Sequence, residues 1–504
     1  MNRNRFAPVA PLFMTDAYKQ SHLNLFPKGT QFTYSNYTNR STRIDGLTHV
    51  VNFGLQAYIQ HLNDAFKPFF EADVDLVCDL YEERVKGYLG VDHVDTSHVR
   101  KLHELGYLPL EFKQIDEGAL VPLGVPSFTI ENTHPEFAFL TNYIETDASA
   151  NIWHAASVAT LAAYDRKKIE KWRKATGCDM TGIEFQYHDF SYRGQTSTES
   201  AAASGAGHLL SFWGSDTLTT LDWVDEYYAG DNGLVLASVP ATEHAVMSTG
   251  TAYENEEATY RRILEEGYPT GIVSIVSDTY SIYNVVEPGG ILDRLRDVVM
   301  GRDGKLVVRP DSGDPVDIIT GTVREFGQGK NSEEKGVIEL LWEVFGGIEN
   351  EAGFKELDPH IGLIYGDGIT PDRMERIFER LAVKGFAASN VVFGIGSYRY
   401  QTISRDSVGG SAVKMTWAEI DGVGYNVKKD PITAKGDKTS ATGRLAVFVN
   451  DNNDYELIQE ATPEQESVSE LRTIWKNGEF VNYRSFADAR KVLADQNWKI
   501  RDIY

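Results

Sequence analysis

From about residue 180 onward, short apolar runs alternate with helix-length segments: GLVLASV (233–239), GIVSIVS (271–277), KLVVR (305–309), IGLIYG (361–366) and NVVFGIG (390–396). Apolar strands joined by helices are the pattern of a parallel sheet covered on both faces. Kept up to about residue 400, the pattern predicts an α/β barrel. The clearest helix follows IGLIYG. Thr370 can cap it, Pro371 suits its first position, Met374, Ile377, Phe378 and Leu381 form one stripe, and Gly385 stands at its end.

The two chain ends follow another pattern. LQAYIQHLNDAF (55–66) places Leu55, Tyr58, Ile59, Leu62 and Phe66 on one helical face, and ALVPLGVPSFTIEN (119–132) reads as short strands broken by Pro and Gly. Near the other end, Asn477-Gly478 sits between two strand-like runs, a strong hairpin signal, and Ser485 can cap a last helix. The expected organisation is a mixed α+β domain built from residues 1–150 and 401–504, with the barrel in 151–400.

Each barrel run stops in polar, charged or glycine residues: SVPATEH (238–244), SDTY (277–280), RPDSGDP (309–315), GDGIT (366–370) and GIGSYRYQ (394–401). One such end, an Arg–Asp pair for instance, is often a structural salt bridge. Five in series point to the working face, because the C-terminal strand ends of a parallel barrel form one mouth. Arg193, Arg309 and Arg405, several carboxylates and glycine-loop amides suit a phosphorylated sugar: guanidinium forks match phosphate oxygens, and carboxylates match sugar hydroxyls or a well-hydrated Mg²⁺.

Composition narrows the partners. Lys and Arg number 49 and Asp and Glu 73, so the formal charge is 49 − 73 = −24, which argues against nucleic acid and anionic membranes. No apolar run nears the roughly 18 residues of a membrane span, and prolines interrupt the apolar patch after the basic start MNRNRF, so a secretory leader is not expected. Two cysteines far apart, Cys78 and Cys178, fit a reducing, cytoplasmic setting.

The motifs TDAYKQSH (15–22), YHDFSYRG (187–194), GSDT (214–217), SVPATEH, SIVSDTY (274–280), RPDSGDP, YGDG (365–368), SRD (404–406) and KKDP (428–431) occur in the order found in nicotinamide phosphoribosyltransferases, and the chain resembles that family from about residue 13 to 490. The resemblance implies a type II phosphoribosyltransferase fold, an irregular α/β barrel with a domain formed from both chain ends. It implies a homodimer with shared active sites, and transfer of the phosphoribosyl group of 5-phosphoribosyl-1-diphosphate (PRPP) to nicotinamide. By the same resemblance, Phe190 and the second copy's Tyr18 sandwich the pyridine ring, while Asp216 and Ser274 contact the amide. Arg193, His244 and Arg309 take the diphosphate, and Asp311, Gly366, Asp367 and Arg405 hold the ribose and 5′-phosphate, with His244, Arg309 and Asp311 nearest the chemistry. Asp16, Ser238, Ala241, Gly396 and Ser397 are further substrate contacts, and Arg40, Lys414, Lys429 and Lys438 are phosphate contacts. His244 is expected to take a phosphoryl group from ATP, with Glu243 and Asp278 orienting it. Animal members carry a glycine run where this chain has GIGSYRYQ, and Ser397 departs from it.

Three other readings compete. Nicotinate phosphoribosyltransferase shares the fold and chemistry. A sugar-phosphate aldolase or isomerase would need a lysine or glutamate inside the mouth, and no strand here ends in lysine. A non-catalytic nucleotide sensor would not need the full set of arginines, aspartates and histidine.

Overall fold

Parallel hydrogen bonding joins β1 (Tyr187–Asp189), β2 (Thr270–Val276), β3 (Asp303–Arg309), β4 (Ile361–Tyr365) and β5 (Val391–Ile395) into one sheet of order β1-β5-β4-β3-β2. The computed structural model describes residues 4–228, 233–429 and 440–500. Two non-strand segments continue the sheet from its edges. Single parallel bridges pair Asp189 with Ser215, Gly214 with Ala237, and Ala241 with Ser274 of β2. The bonds Asp189 N–H to Gly214 O (3.0 Å), Ser215 N–H to Ala237 O (3.0 Å) and Thr242 N–H to Ser274 O (2.9 Å) complete the ring. The barrel is therefore closed, with two of its staves irregular.

This corrects one expectation: 233–239 is not a strand. Leu234 is half exposed, the run forms an isolated bridge at Ala237 and no described strand, and Pro240 has no N–H to extend a ladder. The other four runs form strands. Val273, Ile275, Leu306, Val308, Leu363, Phe393 and Ile395 are all buried, as expected of strands covered on both faces. The helix Pro371–Val383 carries its expected cap at Thr370 and buries Met374, Ile377, Phe378 and Leu381.

The chain divides into two compact units. The barrel unit spans 161–222 and 234–403; the terminal unit spans 1–160, 223–233 and 404–504. The described residues of 223–233 cluster with the chain ends. In the terminal unit a seven-stranded sheet places Ala412–Ile420 and Arg472–Lys476 in antiparallel register with Thr30–Thr38 and Leu110–Gln114. The helix Leu55–Glu71 buries the expected Leu55, Tyr58, Ile59, Leu62 and Phe66. The hairpin at Asn477-Gly478 forms with φ of 52° and 94°, and Ser485 caps Phe486–Gln496. Among the described residues no helix is long and apolar enough to cross a membrane.

One ion pair ties barrel helices together in the dry interior. Lys384 Nζ lies 2.8 Å from Glu339 Oε2, and the two side chains are 2 % and 1 % exposed. Removing one partner strands a buried charge, which costs about 3–5 kcal/mol, whereas removing both is close to neutral. Denaturant unfolding should show Lys384→Met losing several kcal/mol and Lys384→Met with Glu339→Leu regaining most of it; equal losses would contradict the assignment.

Candidate active site

A pocket of about 660 Å³ opens at the C-terminal ends of the barrel strands. Phe190, Arg193, Asp216, Arg309, Asp311, Gly366, Asp367, Gly396 and Ser397, all expected from the sequence, line it together with Tyr192, Thr217, Gly368, Ile369 and Tyr398.

Glycines shape its floor. A Cβ on Gly394 would lie 2.8 Å from the Phe190 ring and 2.9 Å from Gly366 Cα, so the bare backbone of β5 is what lets Phe190 settle at the end of β1. A Cβ on Gly366 would stand 2.8 Å from Asp311 Oδ1. The His188 and Phe190 rings lie 4.6 Å apart.

Asp216 is held at one oxygen. His188 Nε2 is 3.0 Å from its Oδ1, and the Ser238 hydroxyl donates a short hydrogen bond to the same atom. Burial pushes the Asp216 pKa up, but the bonds from His188 and Ser238 and the charge of Arg309 outweigh it and leave the carboxyl below its ordinary value. His188 was missed in the sequence, although it lies two residues before Phe190 on a strand and so faces the same side.

A second carboxylate organises the rim. Asp278, with a side chain 5 % exposed, accepts from the Asp311 N–H (2.9 Å) and Ser312 Oγ (2.5 Å), and lies 3.2 Å from His244 Nε2. Burial raises its pKa, and these three contacts overcome that and hold it low. The carboxylate on the His244 ring is therefore Asp278. Glu243 precedes the helix His244–Glu254, is exposed, and makes no hydrogen bond to His244 among the described residues. From β4, the Tyr365 hydroxyl donates to Ser312 O (2.9 Å) and Gly313 O (3.0 Å), pinning the same loop.

Two polar atoms are left over. Arg309 Nη2 donates to Thr242 O (2.6 Å), but among the described residues its buried Nε has no partner, and neither has the buried Ser274 Oγ. Such atoms are costly unless a ligand meets them. Ala241 is exposed and bridges to Ser274.

The remaining expected residues lie in the terminal unit, except Lys438, which falls outside the described residues. There Lys414 Nζ is 3.6 Å from Glu145 Oε1, and burial, with Arg40 and Lys429 nearby, lowers its pKa against the pull of Glu145. Asp16 accepts from Thr146 Oγ1 (2.6 Å), and Tyr18 is 62 % exposed. Arg405 faces its neighbour Asp406 at 3.2 Å. Within the barrel unit, Arg193 and Arg309 are the expected cations that line the pocket.

A closed parallel barrel presenting arginine, carboxylate and glycine turns at its strand ends is the architecture of the type II phosphoribosyltransferases. The crystal structure of human nicotinic acid phosphoribosyltransferase shares this fold, with a TM-score of 0.57 at 15 % identity over 97 % of this chain and 94 % of that one. The sequence model of the nicotinate phosphoribosyltransferase (NAPRTase) family matches residues 185–479, and the chain belongs to that family. A protein named nicotinamide phosphoribosyltransferase from Acinetobacter baylyi is 41 % identical over 98 % of this chain and 99 % of its own length. Another of that name from Xanthomonas campestris is 32 % identical over 95 % and 98 %.

The Asp278 contacts give a pH signature. Its folded pKa lies below the unfolded value of about 3.9, so its stabilisation is complete above that value and is lost as pH falls through the folded pKa. Between pH 6 and 3 the melting temperature of the wild type should fall more steeply than that of Asp278→Asn; parallel curves would contradict this.

Proposed function

We propose that the enzyme joins nicotinamide to PRPP, forming nicotinamide mononucleotide and releasing diphosphate. The observation carrying this reading is Asp216: ionised, engaged at Oδ1 by His188 and Ser238, and sharing a pocket with Phe190. Its second oxygen suits a donor on a flat ring, such as the carboxamide NH₂ of nicotinamide. Nicotinate would set a carboxylate against this half-buried charge, an unpaired contact costing on the order of several kcal/mol. The names of the relatives that span nearly the whole chain favour the same base.

The pyridine nitrogen brings its own lone pair, so no strong general base is needed. The barrier lies in ionising the anomeric carbon as diphosphate departs, and the protein acts through positioning and charge. Phe190 offers a face for stacking, with Ser274 Oγ as a second amide contact. Arg193 and Arg309 offer guanidinium donors to the diphosphate, the unpaired Arg309 Nε among them. Asp311 and Asp367 suit the ribose hydroxyls, Gly366 and Gly396 allow close backbone approach to the 5′-phosphate, and Ser397 offers a hydroxyl donor beside them.

The pocket lining carries two arginines and three aspartates, formally 2 − 3 = −1, too little positive charge for a diphosphate. Mg²⁺ entering with PRPP fits this donor set. Asp311 and Asp367 are hard oxygen ligands that would hold it, and when bound it would neutralise charge on the leaving group. No group of three or more His, Cys, Asp or Glu among the described residues could hold a metal alone, so the ion would keep waters and phosphate oxygens as ligands. The cations Arg40, Lys414 and Lys429 and the exposed Tyr18 support a homodimer in which a second copy completes the site. With Nε2 of His244 on Asp278, the ring is half exposed, and its other nitrogen suits acceptance of a phosphoryl group from ATP and its release to water.

Diphosphate release from PRPP should depend strongly on nicotinamide and weakly on nicotinate. In Asp216→Asn the ratio of kcat/KM between the two bases should fall by about 10- to 100-fold, the equivalent of about 1.4–3 kcal/mol; equal turnover of both bases by the wild type would refute the base assignment. ATP should accelerate the wild type and leave His244→Ala unaffected; stimulation that survives in the variant would exclude His244 as the phosphoryl acceptor.

A further inference from the structure

The Gly396–Ser397 turn at the pocket wall opens a helix of five residues, Ser397–Gln401. One turn of helix has little intrinsic stability, so what fixes it must come from elsewhere. The neighbouring wall touches it directly: a Cβ on Gly194 would lie 2.0 Å from Ser397 Cβ, which puts the Arg193 turn hard against it. Behind the turn are two buried anchors.

The first is Arg399. Its Nε and Nη2 each donate to Asp165 of the helix Glu145–Ala175, to Oδ2 and Oδ1 respectively, both at 2.9 Å. The Asp165 side chain is 3 % exposed and Arg399 15 %. The Tyr187 hydroxyl, at the start of the strand that ends beside Phe190, donates to Asp165 Oδ2 at 2.6 Å. The second anchor is Tyr400, whose hydroxyl lies 2.8 Å from His208 Nδ1, while His208 Nε2 lies 3.0 Å from Gly214 O, two residues before Asp216. Tyr187, His208 and Tyr400 are fully buried. One buried network therefore joins the backs of three pocket walls: the Ser397 turn, the Phe190 strand and the Asp216 loop.

We propose that Arg399, through its bidentate pair with Asp165, and Tyr400, through His208, are positioning residues that hold the Gly396–Ser397 turn where it meets the phosphorylated substrate. Neither touches substrate. A guanidinium fork fixes direction as well as distance, which a lysine on the same carboxylate would not. Where this chain has serine at 397 and long side chains after it, the turn is held from behind by two side chains reaching into the barrel unit's interior.

The inference rests on the proposed use of PRPP, and steady-state kinetics with each substrate varied in turn tests both. In Arg399→Lys the KM for PRPP should rise about tenfold while that for nicotinamide stays within about twofold, because a misplaced wall weakens the contacts it alone makes. Tyr400→Phe keeps the packed ring and should raise the PRPP KM about threefold, so it carries the test if Arg399→Lys does not fold. A merely structural role would shrink the folded fraction, lowering apparent kcat with both KM values unchanged. That outcome, or a parallel rise of both KM values, overturns the positioning role. A wild type that consumes no PRPP overturns the functional reading and this inference with it.

Discussion

Parallel pairing compels every strand of the barrel to finish on one rim. The hydrogen-bonded register of β1 to β5 carries Phe190, Arg309 and Gly366 to that rim, and the bridged staves at 214–215 and 237–241 bring Asp216 and Ser238 alongside. Residues more than 200 positions apart meet there because the ring closes, not because of any local preference. The irregular staves matter as much as the strands. A chain tied by single bridges is free to turn its side chains into the mouth, and the Asp216 carboxylate sits on such a stave.

Crowding arginines and carboxylates at one rim creates an electrostatic problem that the structure meets locally. Asp278 is kept charged by three contacts, and through them it fixes the Asp311 backbone and the His244 ring. Asp216 is kept charged by His188 and Ser238. In a chain of formal charge −24 the pocket's two arginines stand beside three aspartates, so the lining carries no net positive charge of its own.

Much of this was legible in the sequence. Strand-like runs at 271–277, 305–309, 361–366 and 390–396 announced themselves through apolar β-formers, and the polar residues just beyond them through their position. What escaped had physical reasons. The run 233–239 is apolar like the others but is partly exposed and tied by one bridge, and composition alone does not reveal pairing. His188 could have been found from its spacing to Phe190; of the two carboxylates expected beside His244, only the fold shows that Asp278 and not its neighbour Glu243 meets the ring, because the contact depends on closure between two distant segments. Arg399 and Tyr400 carry no signal in the sequence beyond their place in GIGSYRYQ; only the fold sets Asp165 and His208 behind them.

The central claim is that a flat neutral base and a ribosyl phosphate share this one pocket in a fixed orientation. A crystal structure of the enzyme bound to nicotinamide mononucleotide measures that directly. The pyridine ring should lie against Phe190 with its amide nitrogen within hydrogen-bond distance of Asp216, and the phosphate should reach the Gly396–Ser397 turn. A nucleotide bound with its ring away from Phe190 and Asp216 would contradict the account.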